Sequence, residues 1–320
     1  MKLAAILALA IVAVLDPEAP TRAQKLEDFV VGVLRRDGIV TPFAAFDGRR
    51  WRARWPADMR NRDLPISLDE VPEDWWGVEP APRVLSIWRD GARAGTVTLT
   101  GIAITRPMCE PRMTLKSDYR AATTAPPPFE LPYPKDGLVV TGDVPVEPIE
   151  ILAAGSAAAN RVLTKITDRF NREETVAAGS FALWVHPVPP EGRRRLPITI
   201  EALYAAPTRD AGWTAYYVEA VREYPPGPRD KDGCGLATFG HGWVIVGPKE
   251  EVRVHISARV TYCDRKGVSY MLPLGLIRAN DHNYWVFQSS GFEEEWYEIV
   301  EPTRHTIQSQ LAYPVGACPR

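Results

Sequence analysis

Short apolar runs separated by turn-forming dipeptides dominate the first part of the chain. Asp-Gly dipeptides follow the first two of three such runs, which are Phe29–Leu34, Ile39–Phe46 and Trp51–Trp55. Asp-Gly between apolar runs is typical of β-hairpins, because both central residues of the tight turn adopt a positive φ. A third Asp-Gly at 90–91 predicts another hairpin. We therefore expect an antiparallel β-meander domain over residues 24–106, followed by a proline-rich linker or irregular segment over 107–143.

One long helix and several strands are predicted for a second domain, residues 144–320. Ser156 can cap a helix that ends near Gly179, and one side of this helix carries apolar residues at helical spacing: Val162, Leu163, Ile166 and Phe170. Seven strands are predicted after it: Phe181–Val185, Ile198–Tyr204, Trp213–Arg222, Leu236–Val246, Val252–Cys263, Val268–Ile277 and Tyr284–Ser289. Segment 292–300 fits a helix as well as a strand.

These patterns predict one fold class for the whole chain. It is mainly β with one long helix (α+β), with an N-terminal antiparallel β-meander half and a C-terminal antiparallel sheet packed by the helix. A helix with a single apolar stripe must bury that stripe, and the apolar face of the neighbouring sheet is the simplest partner.

The strand with the clearest alternation also predicts a pairing register. Apolar and polar residues alternate from Val252 onward, and the preceding Gly247–Glu250 is typical of a turn. A ladder built back from that turn sets His241 opposite Ile256, and it sets Cys234 opposite Cys263. Directly opposed Cβ atoms approach within about 4.5–5.5 Å.

The four cysteines are therefore expected to form two disulfides. The predicted ladder favours Cys234–Cys263, and Cys109–Cys318 follows by elimination. An even number of widely spaced cysteines with no CxxC pair argues against a zinc ribbon or a redox site. Disulfides also indicate an oxidising compartment.

The start of the chain predicts export. Lys2 precedes an apolar run of 13 residues, Leu3–Leu15, which is shorter than the roughly 20 residues of a membrane span. Small residues at Thr21 and Ala23 favour cleavage after Ala23, so residues 1–23 are interpreted as a signal peptide. The alternative is an uncleaved signal anchor. No later stretch reaches membrane length, so we expect a mature chain without a membrane span, in the periplasm or outside the cell. The chain has many more arginines than lysines, and such an excess is associated with GC-rich bacterial genomes.

Composition and motif searches exclude several functions. The 38 Lys and Arg against 40 Asp and Glu give a net charge of -2, which is too balanced for nucleic-acid binding through bulk charge. The chain contains no HExxH, GxSxG, SxxK, GxGxxG or P-loop pattern. We therefore expect no cofactor and no metal. The densest acidic run, Glu293–Glu295, could supply a pair of catalytic carboxylates, but most such runs are solvated faces, and the sequence favours that interpretation.

His241 is the strongest candidate for a ligand-binding residue, together with Trp243. The expected ladder places His241 on the apolar face of its strand, and Gly240 and Gly242 flank it. Such glycines can mark the close approach of a ligand or of another backbone. The alternative is a hydrogen-bonded core histidine, whose two ring nitrogens are satisfied inside the protein.

Three functions remain open. The first is an exported, non-catalytic binding module for an envelope component, a glycan or a protein. The second is an exported hydrolase, glycosidase-like or peptidase-like, with catalytic residues scattered along the sequence. The third is an assembly subunit that works through exposed strand edges. The sequence favours the first and leans against an enzyme.

Overall fold

The chain folds into a β-barrel, two antiparallel sheets and one long helix, stacked in that order. This computed structural model describes residues 28–57, 59, 64–127, 132–180, 185–226 and 235–318. The expected fold class, mainly β with one long helix, is confirmed. The predicted signal peptide, Cys234 and all but the last residue of the predicted strand 181–185 lie outside the described residues.

Six of the seven strands of the N-terminal part close a barrel, and the two-residue third strand lies outside the ring. Its elements are β1 (Phe29–Arg35), β2 (Ile39–Phe46), β3 (Trp51–Arg52), a short 3-10 helix (Leu68–Glu70), α1 (Glu73–Trp76), β4 (Val84–Arg89), β5 (Ala92–Thr105), β6 (Arg112–Ser117) and β7 (Lys135–Val140). The strand order is β1-β7-β4-β5-β6-β2-β3, and β1 also pairs with β2, which closes the ring. The predicted hairpin at 90–91 is present, with φ of 50° at Asp90 and 76° at Gly91, as such two-residue turns require.

The expected linker over 107–143 proves to be part of the barrel. It supplies β6, which pairs with β2 and β5, and β7, which pairs with β1 and β4. Prolines between these two strands suggested an irregular segment, but they occupy the connection and leave the ladders intact. The division of the chain into domains stays a prediction.

Two five-stranded sheets follow. The remaining elements are β8 (Val146–Glu147), β9 (Glu150–Ile151), α2 (Ala157–Gly179), α3 (Pro190–Arg194), β10 (Thr199–Pro207), β11 (Thr214–Glu223), β12 (Leu236–Val246), β13 (Val252–Tyr262), β14 (Tyr270–Ala279), β15 (His282–Ser290), β16 (Glu294–Pro302) and β17 (Ile307–Ala317). Sheet II has the order β13-β12-β11-β10-β9, and sheet III has the order β17-β16-β15-β14-β8. Segment 292–300, left open above, therefore forms most of strand β16.

Helix α2 covers the outer face of sheet II, as its apolar stripe predicted. The Ser156 side chain accepts a hydrogen bond from the Ala159 backbone N–H at 3.1 Å and caps the helix. Ile166 and Phe170 are fully buried and pack with residues of β11, β12 and β13. Among the described residues, no helix has both the length and the apolar character needed to cross a bilayer.

Sheet III is sandwiched between the barrel and sheet II. On one side, the Tyr297 ring lies 5.3 Å from Phe43 of the barrel. On the other, Trp285 lies 4.9 Å from Trp243 of sheet II, with their planes nearly perpendicular. Such edge-to-face contacts add about 0.5–1.5 kcal/mol to the burial of the rings. The inner face of sheet II is therefore buried in an apolar core where sheet III covers it.

The expected ladder between β12 and β13 is wrong by one residue. The strands pair from Leu236 with Tyr262 to Val246 with Val252, without a shift, so His241 lies opposite Ser257 and not Ile256. The cause is the turn, where the Gly247 N–H donates to the Glu251 carbonyl at 2.8 Å. Three residues lie between them, the last of them Glu250 with a left-handed φ of 59°, a common hairpin loop.

Candidate functional site

The inner face of β12 carries His241 at the margin of the sheet sandwich. Alternate residues of β12 point to this face, so Phe239, His241 and Trp243 share it. Trp243 is 8 % exposed and packs against Tyr217, Trp285 and Phe287. His241 is half-buried, and its ring stacks on Phe239 at 5.8 Å. The structure thus places Trp243 in the core beneath the site, and His241 at its rim.

Both ring nitrogens of His241 have hydrogen-bond partners. Nδ1 lies 3.0 Å from the Tyr217 hydroxyl, and Nε2 lies 3.2 Å from the Ser257 hydroxyl. Burial lowers the pKa of His241, and the charge of Arg259 lowers it further. A neutral imidazole has one donor and one acceptor nitrogen, so one hydroxyl donates to the ring and the other accepts from it.

The two glycines beside His241 have structural causes. A Cβ on Gly240 would lie 2.6 Å from the Phe170 ring of α2. A Cβ on Gly242, whose φ is 142°, would lie 2.2 Å from the His255 carbonyl oxygen of β13. The close approach that the sequence indicated is therefore made by the helix and by the neighbouring strand, and these glycines are not evidence of a ligand.

Glu219 lies opposite His241 on the other neighbouring strand, β11. Its side chain is 2 % exposed and accepts a hydrogen bond from the Met271 backbone N–H at 2.6 Å. The Met271 carbonyl in turn accepts from the Tyr204 hydroxyl at 3.2 Å, so both backbone groups of this residue of sheet III bind sheet II. Burial is the main cause that raises the pKa of Glu219 to about 7; the hydrogen bond from Met271 opposes this rise, and the charge of Glu201 adds to it. Glu219 therefore joins two sheets and is not a solvent-facing base.

The outer strand β13 presents a polar surface beside His241, which we call the β13 shelf. It consists of four exposed side chains that share one face: Arg253, His255, Ser257 and Arg259. At about 3.4 Å per residue the shelf is ~20 Å long. The eleven residues of β13 include no Asp or Glu. Within the described part of the chain, neither arginine of the shelf forms an ion pair.

Because the expected pairing of β12 and β13 was wrong by one residue, the sequence analysis did not identify Ser257 as the neighbour of His241. In the expected register His241 faced an isoleucine on an apolar surface, whereas in the structure it faces an exposed serine on the shelf. The sequence contained the correcting signal, because Gly247–Glu251 suits a three-residue loop as well as a tighter turn.

A second polar cluster lies where the barrel meets sheet III. Lys135 and Glu295 form an ion pair at 3.0 Å, with both side chains 2 % exposed, and burial lowers the pKa of Lys135. They line a narrow recess together with Arg35, Arg112, Tyr133 and seven other residues. Arg35 stacks over Tyr133 and binds Asp37. These charges are already satisfied, so the cluster serves as a junction between layers.

The last two carboxylates of the acidic run Glu293–Glu295 are separated by the strand. Glu294 and Glu295 are consecutive residues of β16 and point to opposite faces of sheet III, and Glu295 is engaged by Lys135. Among the described residues, no group of three or more His, Cys, Asp or Glu side chains is arranged to hold a metal ion.

The disulfide Cys109–Cys318 is present, with the two Cα atoms 4.9 Å apart. It ties the end of sheet III to the barrel segment before β6, and it is consistent with an oxidising compartment. Cys263 is also disulfide-bonded. Cys234, which we predicted as its partner, lies outside the described residues, so that pairing stays a prediction.

Comparison of the chain with protein-family models, with curated proteins and with solved structures gives no match.

Proposed function

We propose that this chain is an exported, non-catalytic binding protein whose β13 shelf takes an acidic ligand. The observation that carries the proposal is the pair of exposed arginines, Arg253 and Arg259, on a strand face without acidic residues. Arginine donors bind carboxylates and phosphates through strong, charge-assisted hydrogen bonds. Export is supported by the apolar run Leu3–Leu15 and by the Cys109–Cys318 disulfide.

The space between the two arginines supports the same proposal. His255 and Ser257 lie between them on the shelf, and the Ser257 hydroxyl is held by His241. An acidic ligand lying along the strand would meet a cation at each end and polar groups in the middle. His241 then acts as a positioning residue, because it lies beside Ser257 on the neighbouring strand and orients the serine hydroxyl.

A direct binding measurement tests this proposal. The purified oxidised protein is titrated against fluorescent poly-glutamate, an acidic glycan such as polygalacturonate, and neutral dextran. We expect salt-sensitive binding of at least one acidic probe and none of dextran. The double variant Arg253→Gln/Arg259→Gln should weaken that binding about tenfold or more, since each charge-assisted hydrogen bond contributes about 1.5–3 kcal/mol.

A matched variant separates local from bulk charge. Arg172 and Arg194 are exposed on α2 and α3, so Arg172→Gln/Arg194→Gln changes the net charge equally without altering the shelf. Its affinity should stay within about twofold of the original protein. Equal losses in both doubles, or the absence of binding to every acidic probe, would refute the proposal.

His241→Ala tests the supporting role of the histidine. We expect weaker binding of the acidic probe together with a folded protein, destabilised by about 1–3 kcal/mol because the Tyr217 hydroxyl loses its partner in a buried place. Unchanged affinity in a folded variant would exclude His241 from the site.

A hydrolase remains the second candidate, because Ser257 Oγ lies 3.2 Å from His241 Nε2. A serine nucleophile needs such a base. However, the partner of Nδ1 is the Tyr217 phenol, whose pKa burial raises well above its ordinary value, and not the carboxylate that normally orients a catalytic histidine. Labelling by a fluorophosphonate that disappears in Ser257→Ala would favour the hydrolase over the binding protein.

A further inference from the structure

Strand β13 ends sheet II with a long, regular edge that lacks most of the usual protective features. It has eleven residues, contains no proline and pairs with β12 without a register shift. The other edge strands of sheets II and III differ. β8 and β9 have two residues each, and β17 contains Pro314 and faces two register shifts in its pairing with β16. Shortness, proline, bulges and charged side chains all keep sheet edges from pairing with other chains, and of these four β13 has only the charges of Arg253 and Arg259.

The hydrogen bonds at the two ends of β13 show which backbone groups lie on the open edge. Gly247 N–H donates to the Glu251 carbonyl at 2.8 Å, and Cys263 N–H donates to the Gly235 carbonyl at 3.0 Å. In an antiparallel ladder, alternate residues direct both backbone groups to the same neighbour. With an unbroken register, the odd-numbered residues of β13 therefore bond β12, and the even-numbered residues direct N–H and C=O outward.

Five residues in the interior of the edge are thus open to a further strand: Val252, Val254, Ile256, Ala258 and Val260. No other described strand pairs with β13 on this side. Within the described residues, the carbonyl of Val252 accepts a bond from the Arg253 side chain, and no backbone partner from another segment reaches the remaining four.

The two faces of β13 define what such a strand would contain. The five outward-bonding residues place apolar side chains on the α2 side, where Val252 and Val254 are half-buried against the helix. The opposite face is the β13 shelf, with its two arginines. A complementary strand would alternate apolar residues on the α2 side with acidic residues on the shelf side.

We propose that β13 binds an extended segment of a partner protein as an additional antiparallel or parallel strand, with acidic and apolar residues alternating along it. This inference rests on the proposed function and gives its acidic ligand a chemical class. Arg253 and Arg259 are six positions apart, so two acidic residues at the same spacing would each face an arginine. A second copy of this chain is the poorer occupant, because antiparallel pairing about Ile256 would set Arg253 against Arg259.

Two methylated peptides test the backbone pairing. The parent probe is a labelled nine-residue peptide of alternating Val and Glu, measured by fluorescence anisotropy against the oxidised protein. One isomer carries N-methyl groups on its Val amides and the other on its Glu amides. In an antiparallel addition, the even-numbered residues of β13 exchange hydrogen bonds with peptide residues on their own face, which are the Val residues, so Val methylation blocks it. In a parallel addition, each even-numbered residue bonds to the two peptide residues that flank its direct neighbour, which are the Glu residues, so Glu methylation blocks it.

The expected result is asymmetric. One isomer should lose at least tenfold in affinity while the other stays within about threefold, and the isomer that fails reports the strand direction. A Val and Lys peptide of the same length should not bind. If the parent peptide binds and both isomers bind equally well, pairing of backbones is refuted, whereas the proposed function survives.

A variant of the protein gives an independent readout. Ala258→Pro removes an outward N–H from an edge position, where proline is tolerated, so the ladder with β12 is retained. It should abolish binding of the alternating peptide and leave thermal unfolding within a few degrees. Hydrogen exchange of the unmodified protein should slow at the even-numbered amides of β13 when the peptide is bound. Unchanged exchange at these amides in the saturated complex would overturn the inference.

The outcomes separate this inference from the proposed function. Binding of polygalacturonate but not of the peptide would overturn strand addition and support an acidic glycan as the ligand of the shelf. No binding of any acidic probe would overturn both.

Discussion

Glu219 predicts an unusual dependence of stability on pH. Its carboxyl lies between sheets II and III, is 2 % exposed, and accepts its hydrogen bond from the Met271 backbone at 2.6 Å. Glu219→Gln is the perturbation of choice, because the amide oxygen can accept the same bond and the side chain has almost the same size. The variant removes the ability to become charged, and otherwise it replaces only the second carboxyl oxygen, a hydroxyl in the protonated acid, with an amide nitrogen.

The magnitude follows from the pKa. Burial raises the pKa of Glu219 from 4.5 to about 7, and this difference corresponds to about 3 kcal/mol. Below pH 4.5 the carboxyl is protonated in the folded and the unfolded chain alike, so it costs nothing. As the pH rises to about 7, the unfolded chain ionises first, and the free energy of unfolding falls. Above pH 7 the folded protein carries a buried charge, and the full cost is present.

Urea unfolding at pH values from 4 to 8 measures this difference between the two proteins. We expect nearly equal stability at pH 4, and a variant that is about 3 kcal/mol more stable at pH 8. The lowered pKa of His241 acts in the opposite direction, since the unfolded chain binds a proton first as the pH falls through 6.5. This contribution is common to both proteins and cancels in the difference.

Glu150→Gln is the matched control, because it removes one exposed carboxylate from β9. A Glu219→Gln variant that is less stable than the original protein at pH 8, or a difference that stays constant with pH, would refute the reasoning.

Two further predictions concern packing and covalent stability. Gly240→Ala should destabilise the fold by about 1–3 kcal/mol in urea unfolding, because its Cβ would lie 2.6 Å from the Phe170 ring. The control Gly179→Ala should have little effect, since its Cβ would have no atom within 4 Å, and similar losses in both variants would contradict the packing argument. The double variant Cys109→Ser/Cys318→Ser opens a link between residues 209 positions apart, and calorimetry should show a loss of about 3–5 kcal/mol; an unchanged melting temperature would argue against a stabilising role.

The sequence predicted correctly those helices and turns whose form depends only on residues close to them in the chain. The Ser156 cap, the apolar stripe and the terminal Gly179 define α2, and the structure has this helix over Ala157–Gly179. The Asp-Gly dipeptide at 90–91 defines the turn of its hairpin in the same way. Each of these features depends on residues within a few positions, so no distant contact is needed to predict it.

Pairings between distant segments were not predictable from such signals. The barrel closes because β7, from a proline-rich segment, pairs with β1 about a hundred residues earlier. Strand β16 was ambiguous for a different reason. In segment 292–300, the large apolar residues Phe292, Trp296, Ile299 and Val300 recur at helical spacing as well as in a strand. The pairing with β15, which is regular throughout, makes the segment a strand.

The candidate site depends on a register that one loop residue decides. A shift of one residue changes which side chains of two strands face each other, and here it replaces Ile256 with Ser257 as the neighbour of His241. With isoleucine opposite, the histidine would belong to the core and have no route to solvent. With serine opposite, its ring supports an exposed, arginine-bearing surface. The same register sets Cys263 opposite Gly235, so the ladder no longer supports Cys234–Cys263, and that pairing rests on elimination, because Cys109 and Cys318 bond each other. The role proposed for His241 thus depends on the loop at Gly247–Glu251, whereas the two arginines that carry the functional proposal share a face through the alternation of β13 itself.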